Sequence, residues 1–359
     1  MKNLILSVAF LVATGTAFAQ GNVSSVSQDG TTNQSNVLQV GATNNSVVNQ
    51  LGSNSAISGE SNDSDVNQDG VSNMSDVKQD GDFNEADVIQ LGDNNDATID
   101  QGVGFAEMNE AITTQTGDGN TSMQKQRFDN NYATTTQTGN DNNAIQDQSS
   151  GPNSSPGNLA YIVQSGSDNM ADQGQVGSLN DANIYQVGTD HYAIQRQTGN
   201  NNDANAVQHD NDNWSSQMQN GNDNFAQVWQ NDLGVGSFNE ADQTQIGDDN
   251  DAIADQGYNT TNSDVWQRQV GDGNYAYAIQ RGDNNNSRQR QIGDGNSASH
   301  DQNGDDNYAR SRQFGLSHTS GITQLGDMNT ANTLQTGASH VSGVLQVGNG
   351  NNSNVHQTN

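Results

Sequence analysis

The side chains with the most evident capacity for chemistry in this chain are amides, and they recur on a fixed spacing. Gln stands at Gln28, Gln39, Gln50, Gln68, Gln79, Gln90 and Gln101. It continues at positions 115, 126, 137, 148, 164, 175, 186, 197, 208, 219, 230, 245 and 256, and then at Gln269, Gln280, Gln291, Gln302, Gln313, Gln324, Gln335, Gln346 and Gln357, nearly always 11 residues apart. Six residues before these 29 anchors stands Asn in 25 cases, among them Asn33, Asn44, Asn73, Asn84, Asn274, Asn285, Asn296, Asn307, Asn329 and Asn351. His191, Ser263, His318 and His340 fill the same slot elsewhere. A carboxamide carries two N–H donors and an acceptor oxygen on one group, so identical amides stacked in register can bond each to the next. The chemistry this spacing offers is the hydrogen-bonded ladder, and these Gln and Asn residues are its expected members.

Other chemistry is poorly served. Cys is absent, which removes thiolate catalysis and disulfide bonding. Neither a nucleophile elbow nor a triad with metal-ligand spacing occurs. Three of the six His stand in the Asn slot, His300 lies two before an anchor, and His209 and His356 are scattered. Acidic pairs such as Asp248-Asp249 and Asp305-Asp306 fall between units and read as solvated turns that discourage premature aggregation. Arg281-Gly282-Asp283 is the same turn with Arg in a variable slot. Every charge is expected outside or in a turn, so no buried carboxylate with a shifted pKa is expected. The chain is not expected to be an enzyme: no catalytic, cofactor-binding or metal-binding residue is assigned.

The elements that must hold the ladders follow from parity. Four before each anchor stands Ala or Ser in 28 of 29 units, with Val265 the exception. Asn, Ala/Ser, the residue two before the anchor and Gln are thus spaced by two, and share one face of an extended strand. All ten basic residues after Lys2 fall on the other parity, from Lys78 and Lys125 to Arg310 and Arg312. A helix does not sort charge with period two. Gly follows two after the anchor in 22 of 29 units and opens Gly/Asp/Asn turns such as Gly271-Asp272-Gly273-Asn274, where positive φ is tolerated. The fold class expected is all-β: a two-sheet β-solenoid of cross-β type, built from 22-residue strand-turn-strand rungs. Its 29 short strands make about 14 rungs and a rod of roughly 70 Å. Extra residues near 51–61, 102–108, 149–157, 231–238 and 257–262 all fall between an anchor and the next Asn, where they lengthen turns. Both prolines, Pro152 and Pro156, lie in one of them. Every Trp, Tyr and Phe after residue 20 sits on the outward parity or, for Phe83, Phe105, Phe128, Phe238 and Tyr258, in a turn, so the interior is expected to be thin and free of large rings.

Composition sets the setting. The formal charge is −31 and only 30% of residues are hydrophobic, while Asn and Gln make up about a quarter of the chain. Without the repeat this would read as disorder. Residues 1–19 differ in kind: Lys2, an apolar run from Leu4 to Ala13, and Ala17-Phe18-Ala19 form a secretory signal peptide expected to be cut after Ala19. Residues 20–359 then form a single repeat domain with no transmembrane segment. Strong acidity argues against nucleic acid as a partner.

Units such as Asn274-Tyr275-Ala276-Tyr277-Ala278-Ile279-Gln280-Arg281-Gly282, and Gln291-Ile292-Gly293-Asp294-Gly295-Asn296-Ser297-Ala298 running to Gln302, closely resemble the curlin repeat. The resemblance runs from residue 22 to 357. It implies an exported subunit similar to the major curlin of curli, the functional amyloid fibre of bacterial biofilm matrix, secreted through an outer-membrane pore and nucleated at the cell surface. Its partners would be itself, as an open homopolymer, together with secretion and nucleation proteins, and matrix polymers or host surfaces. The first unit starts within three residues of the cleavage site and the last anchor stands two residues from the end, so both edges are expected to be bare and to template further strands. The alternative is a monomeric secreted solenoid that binds a repetitive surface such as ice or glycan.

Overall fold

The computed structural model describes residues 21–51, 60–151, 155–231, 236–257 and 259–359, so the expected signal peptide and most of the 51–61 insertion lie outside the described residues. Strands follow one another as β1 (Val23–Asp29), β2 (Gln34–Ala42), β3 (Asn45–Leu51), β4 (Asp63–Val71), β5 (Met74–Asp82), β6 (Glu85–Leu91), β7 (Asp96–Glu107), β8 (Glu110–Thr116), β9 (Thr121–Arg127) and β10 (Tyr132–Asn140). The run continues with β11 (Asn143–Ser149), β12 (Leu159–Ser167), β13 (Met170–Ser178), β14 (Asp181–Thr189), β15 (Tyr192–Asn200), β16 (Asp203–Asn211), β17 (Trp214–Asn220), β18 (Phe225–Gln230), β19 (Glu240–Ile246) and β20 (Asp251–Gln256). It closes with β21 (Asp264–Val270), β22 (Tyr275–Arg281), β23 (Asn286–Ile292), β24 (Ser297–Asn303), β25 (Tyr308–Leu316), β26 (Thr319–Leu325), β27 (Thr330–Ala338), β28 (Val341–Val347) and β29 (Asn352–Thr358).

Odd-numbered strands form a 15-stranded sheet and even-numbered strands a 14-stranded sheet, each in sequence order. Pairing is parallel and places like on like: Gln28 on Gln50, Gln137 on Gln164, Gln335 on Gln357. The expected two-sheet β-solenoid is therefore the observed fold. Ala and Ser at the strand midpoints face the residues two before the anchor on the opposite sheet, as Ala144, Ala171 and Ala193 pack with Ile162, Ile184 and Ala206, and Ala86, Ala111, Ala182 and Ala276 are all 0% exposed. Small side chains bring the sheets close. No Phe, Tyr or Trp lies among the buried residues described, while Phe83 and Phe238 in turns are 55% and 60% exposed. Aliphatic side chains two before the anchor fill an N-terminal block, with Val48, Val66, Val77, Val88 and Ile99 in one cluster.

The glycine after each anchor has a steric cause. A Cβ on Gly139 would stand 2.0 Å from the carbonyl oxygen of Gly166 in the next rung. In seven of the 29 units the slot holds another residue. Its non-glycine occupants are Val103, Phe128 and Ser150 in successive odd units, Asp210, Asp232 and Tyr258 in successive even units, and Asn359. Four of them stand at the start of an insertion, and Phe128 and Asp210 belong to units adjacent to one in the stack.

Two expectations about turns need correction. The 102–108 insertion is not a plain turn: β7 runs on to Glu107 with a register shift between Gln101 and Val103, a bulge that keeps Phe105 in strand backbone. An added residue in one strand of a ladder is absorbed in this way when its neighbours on both sides hold register. Positive φ is also less selective than Gly and Asn alone would suggest. Thr43, Phe83, Leu179 and Met328 all adopt φ between 57° and 59° just before the Asn slot. The stack holds them there, since Phe83 N–H donates to Glu60 O at 2.8 Å and Leu179 N–H to Gly157 O at 2.9 Å. Backbone bonds to the rung before outweigh the modest cost of the left-handed region.

Candidate functional site: stacked amide ladders

From Gln28 to Gln335 every anchor donates from Nε2 to Oε1 of the anchor one rung further on, at 2.7–3.1 Å. The second N–H crosses to the opposite sheet. Gln90 Nε2 reaches Met74 O at 2.8 Å and Gln291 Nε2 reaches Tyr275 O at 2.8 Å. Each anchor thus ties rung to rung and sheet to sheet. Fully satisfied, a buried amide of this kind is stabilising; half satisfied, it is costly.

The Asn column runs the other way. Asn84 Nδ2 donates back to Asn62 Oδ1 at 3.1 Å, Asn296 Nδ2 to Asn274 Oδ1 at 3.1 Å and Asn329 Nδ2 to Asn307 Oδ1 at 3.1 Å. Asn Oδ1 also receives the backbone N–H of the next Asn, as from Asn73 to Asn44 at 3.0 Å. Histidine in this slot reproduces both functions. His191 Nδ1 accepts from Asn213 N–H at 3.3 Å, and its Nε2 stands 3.2 Å from Val187 O, which assigns the proton to Nε2. His318 repeats the pattern with His340 N–H and Phe314 O, and the two rings stack at 5.2 Å. At the two ends of the stack Asn33, Gln28, Gln39 and Asn351 are only partly buried, whereas Gln50 to Gln324 and Asn44 to Asn329 of the expected ladder are buried.

Two further ladders escaped the sequence reading. In odd strands the residue two before the anchor is Gln from β9 to β23, and these donate in series: Gln124 to Gln146 at 2.9 Å, then on through Gln173, Gln195, Gln217, Gln243 and Gln267 to Gln289. The even sheet opposes them with Ile162, Ile184, Ala206, Val228, Ala254 and Ala278, all buried. Sorting units by parity would have revealed this column. Turn carboxylates form the other ladder. Asp93 Oδ1 accepts from Val71 N–H at 2.8 Å, Asp272 Oδ1 from Asp248 N–H at 2.9 Å, and Asp327 Oδ1 from Asp305 N–H at 3.1 Å. The Asp-rich turns are hydrogen-bonded along the rod as well as solvated.

Beyond Gln289 the second ladder gives way to a hydroxyl and imidazole cluster. His300 lies between Ser287 Oγ at 2.7 Å and Ser311 Oγ at 2.8 Å, and Ser311, Ser320 and Thr333 bond onward. Its neighbours in the even sheet are Ala278 and Ile322, with no carboxylate among them. Burial pushes the His300 imidazole down to about 3, and burial likewise lowers His191. The expectation that no carboxylate would be shifted fails on the outer faces. Asp181, Asp203, Asp242 and Asp251 stand first or third in their strands, and neighbours one rung away cover them enough for burial to raise their pKa.

These shifts act with opposite sign. His300 binds a proton more readily unfolded than folded, so its contribution is intact above about 6.5 and is lost as pH falls toward 3. Carboxyls raised in the rod favour folding as they protonate, a gain that is lost as pH rises through their folded values. His300→Thr should therefore diverge from wild type in urea melts below pH 6.5, by about 1.4 kcal/mol per pH unit in favour of the variant. Parallel stability curves down to pH 4 would contradict a neutral, buried His300.

A model of the curlin associated repeat matches the chain at residues 70–102, which carry β5, β6 and the start of β7, and at residues 293–326, which carry β24, β25 and β26. No curated protein matches the chain. Among the described residues no helix is long and apolar enough to cross a membrane.

Proposed function

From the premise that this is a curlin-repeat protein, we propose that it is a secreted structural subunit which adds head to tail into an extracellular fibre of a biofilm matrix. Its family is structural rather than catalytic, and the two-sheet solenoid fits a curli-type subunit. What carries the reading is the opposed direction of the two amide ladders. At the β28/β29 edge Gln346 and Gln357 each spend one N–H on a backbone carbonyl and keep one to give, while Asn351 Oδ1 remains to accept. At the β1/β2 edge Gln28 and Gln39 have Oε1 to accept with and Asn33 has Nδ2 to give. Two like edges could pair only antiparallel, Gln against the Asn slot, and would lose the like-on-like register of the stack. The last rung of one copy on the first rung of another keeps the strands parallel, with Gln donor on Gln acceptor and Asn on Asn. Such a heterologous contact does not close, and growth continues along the rod axis. Export, nucleation on an outer-membrane partner and contact with matrix polymers or host surfaces belong to the same proposal.

The test is seeded growth of the mature chain at micromolar concentration, followed by a dye that reports cross-β structure. Sonicated seeds of the same chain should abolish the lag. Gln346→Glu, which swaps a donor for an acceptor at the growing edge, should slow elongation at least tenfold, and Thr138→Glu, on an outward position, should not. Rods that stay monodisperse with seeds present would refute fibre assembly.

A further inference from the structure

Sorting the outward positions by sheet reveals two opposed charge patterns that the one-dimensional repeat conceals. On the odd sheet, Arg268, Arg290 and Arg312 stack in register on β21, β23 and β25, and Arg288 stacks on Arg310 beside them. Five of the ten cations after residue 20 thus occupy three rungs of one face. Of the five, Arg288 alone has a carboxylate partner within 4 Å among the described residues, Asp264 at 3.7 Å. The Nε atoms of Arg290 and Arg312 are shielded from solvent with no hydrogen-bond partner, and Arg290 lies 5.4 Å over the Phe314 ring. Trp266 and the guanidinium groups of β23 and β25 border an open hollow of about 350 Å³, with Glu240 and Asp264 on its β19 and β21 side.

The even sheet carries the complement on β4, β6 and β8. Asp63, Glu85 and Glu110 stack in one column, and Asp65 and Asp87 in the next. No basic residue stands on these three strands. Burial raises Glu85 and Asp87, with further raising by the carboxylates around them. Like charges directly opposite on neighbouring strands are destabilising. The rod therefore bears this cost twice, once in each sign, on opposite faces and on grids with the same strand spacing of about 4.8 Å.

We propose that the acidic face of β4, β6 and β8 docks on the arginine face of β21, β23 and β25 of a second copy of this chain, joining rods side by side. Between parallel rods the two blocks meet at a stagger of about 40 Å, since seventeen half-rungs separate β6 from β23. Each rod offers the acidic block on one face and the basic block on the other, so the contact propagates as a raft instead of closing as a dimer. It uses faces and not edges, and is independent of head-to-tail growth.

Charge reversal tests this. Bundle width in electron micrographs, and light scattering of unpolymerised rods should fibres not form, are read for wild type, for Arg290→Glu with Arg312→Glu, and for Glu85→Lys with Asp87→Lys. Circular dichroism and seeded growth check that the variants still form rods. Each variant alone should lose lateral association about tenfold, and an equimolar mixture of the two should recover it, because one variant then presents only acidic blocks and the other only basic ones. Wild-type bundles should narrow at 0.5 M salt, the opposite of what general repulsion between rods of −31 would give. Bundling unchanged in either variant, or no recovery on mixing, overturns the contact. Loss confined to the arginine variant, with binding of a sulfated polysaccharide lost in parallel, assigns the arginines to a foreign polyanion and overturns it too.

Discussion

Gly166→Ala is expected to destabilise the rod by more than about 4 kcal/mol, among the largest effects available to a single methyl group. The added Cβ would stand 1.9 Å from the Gly188 carbonyl oxygen and 2.8 Å from its carbon, at a backbone φ of +123°. Neither atom belongs to a side chain that could swing aside. Relief requires the rung to separate from its neighbour, which sacrifices the register of Gln164 on Gln186 and of Asn142 on Asn169. Gly343→Ala is the control, because a Cβ there meets nothing within 4 Å. It should lie within about 0.5 kcal/mol of wild type. Urea midpoints of the two variants decide the matter: similar losses would show that glycine is present for chain flexibility and not for close approach.

Gln208→Leu should cost roughly 3–5 kcal/mol despite its similar volume and complete burial. Gln208 accepts from Gln186 at 2.8 Å, donates to Gln230 at 2.8 Å, and reaches the backbone oxygens of Tyr192 and Asn213 at 3.1 and 3.0 Å. Leucine leaves donors and acceptors stranded on both sides, each costing about 1–3 kcal/mol when buried. The discriminating measurement is the double variant. Gln186→Leu added to Gln208→Leu removes one of the stranded donors, so the pair should cost less than the sum by at least 1 kcal/mol. Strict additivity would mean the anchors act as separate residues and not as a ladder. Amide exchange should show protection falling first in β14, β16 and β18, the strands that hold Gln186, Gln208 and Gln230.

The strands were legible because their pattern is redundant: every unit repeats the same parity, and charge obeys it from Lys78 to Arg312. The Gln and Asn columns were legible for the same reason. Features that depend on which sheet a unit enters were not. The ladder from Gln124 to Gln289 vanishes when every unit is averaged together, because the even units between them carry Thr, Ile, Ala or Val in that slot. So do the arginine and carboxylate blocks, which become neighbours only when alternate units are stacked. The bulge in β7 and the left-handed Phe83 and Leu179 were hidden for another reason: backbone bonds to neighbouring rungs, not local preference, hold them. Asp turns looked like solubility devices because their partners are N–H groups a full rung away.

The five insertions carry a consequence for how length is measured in this molecule. Gln39 sits on Gln68 across 29 residues as squarely as Gln28 sits on Gln50 across 22. The rod is a ruler graduated in rungs, indifferent to how many residues lie between two marks. Peptides grafted at 51–61 or 149–157 would add mass without altering the distance between any two features on the shaft, whereas duplicating 22 residues would add one graduation of about 4.8 Å and leave every other mark in place.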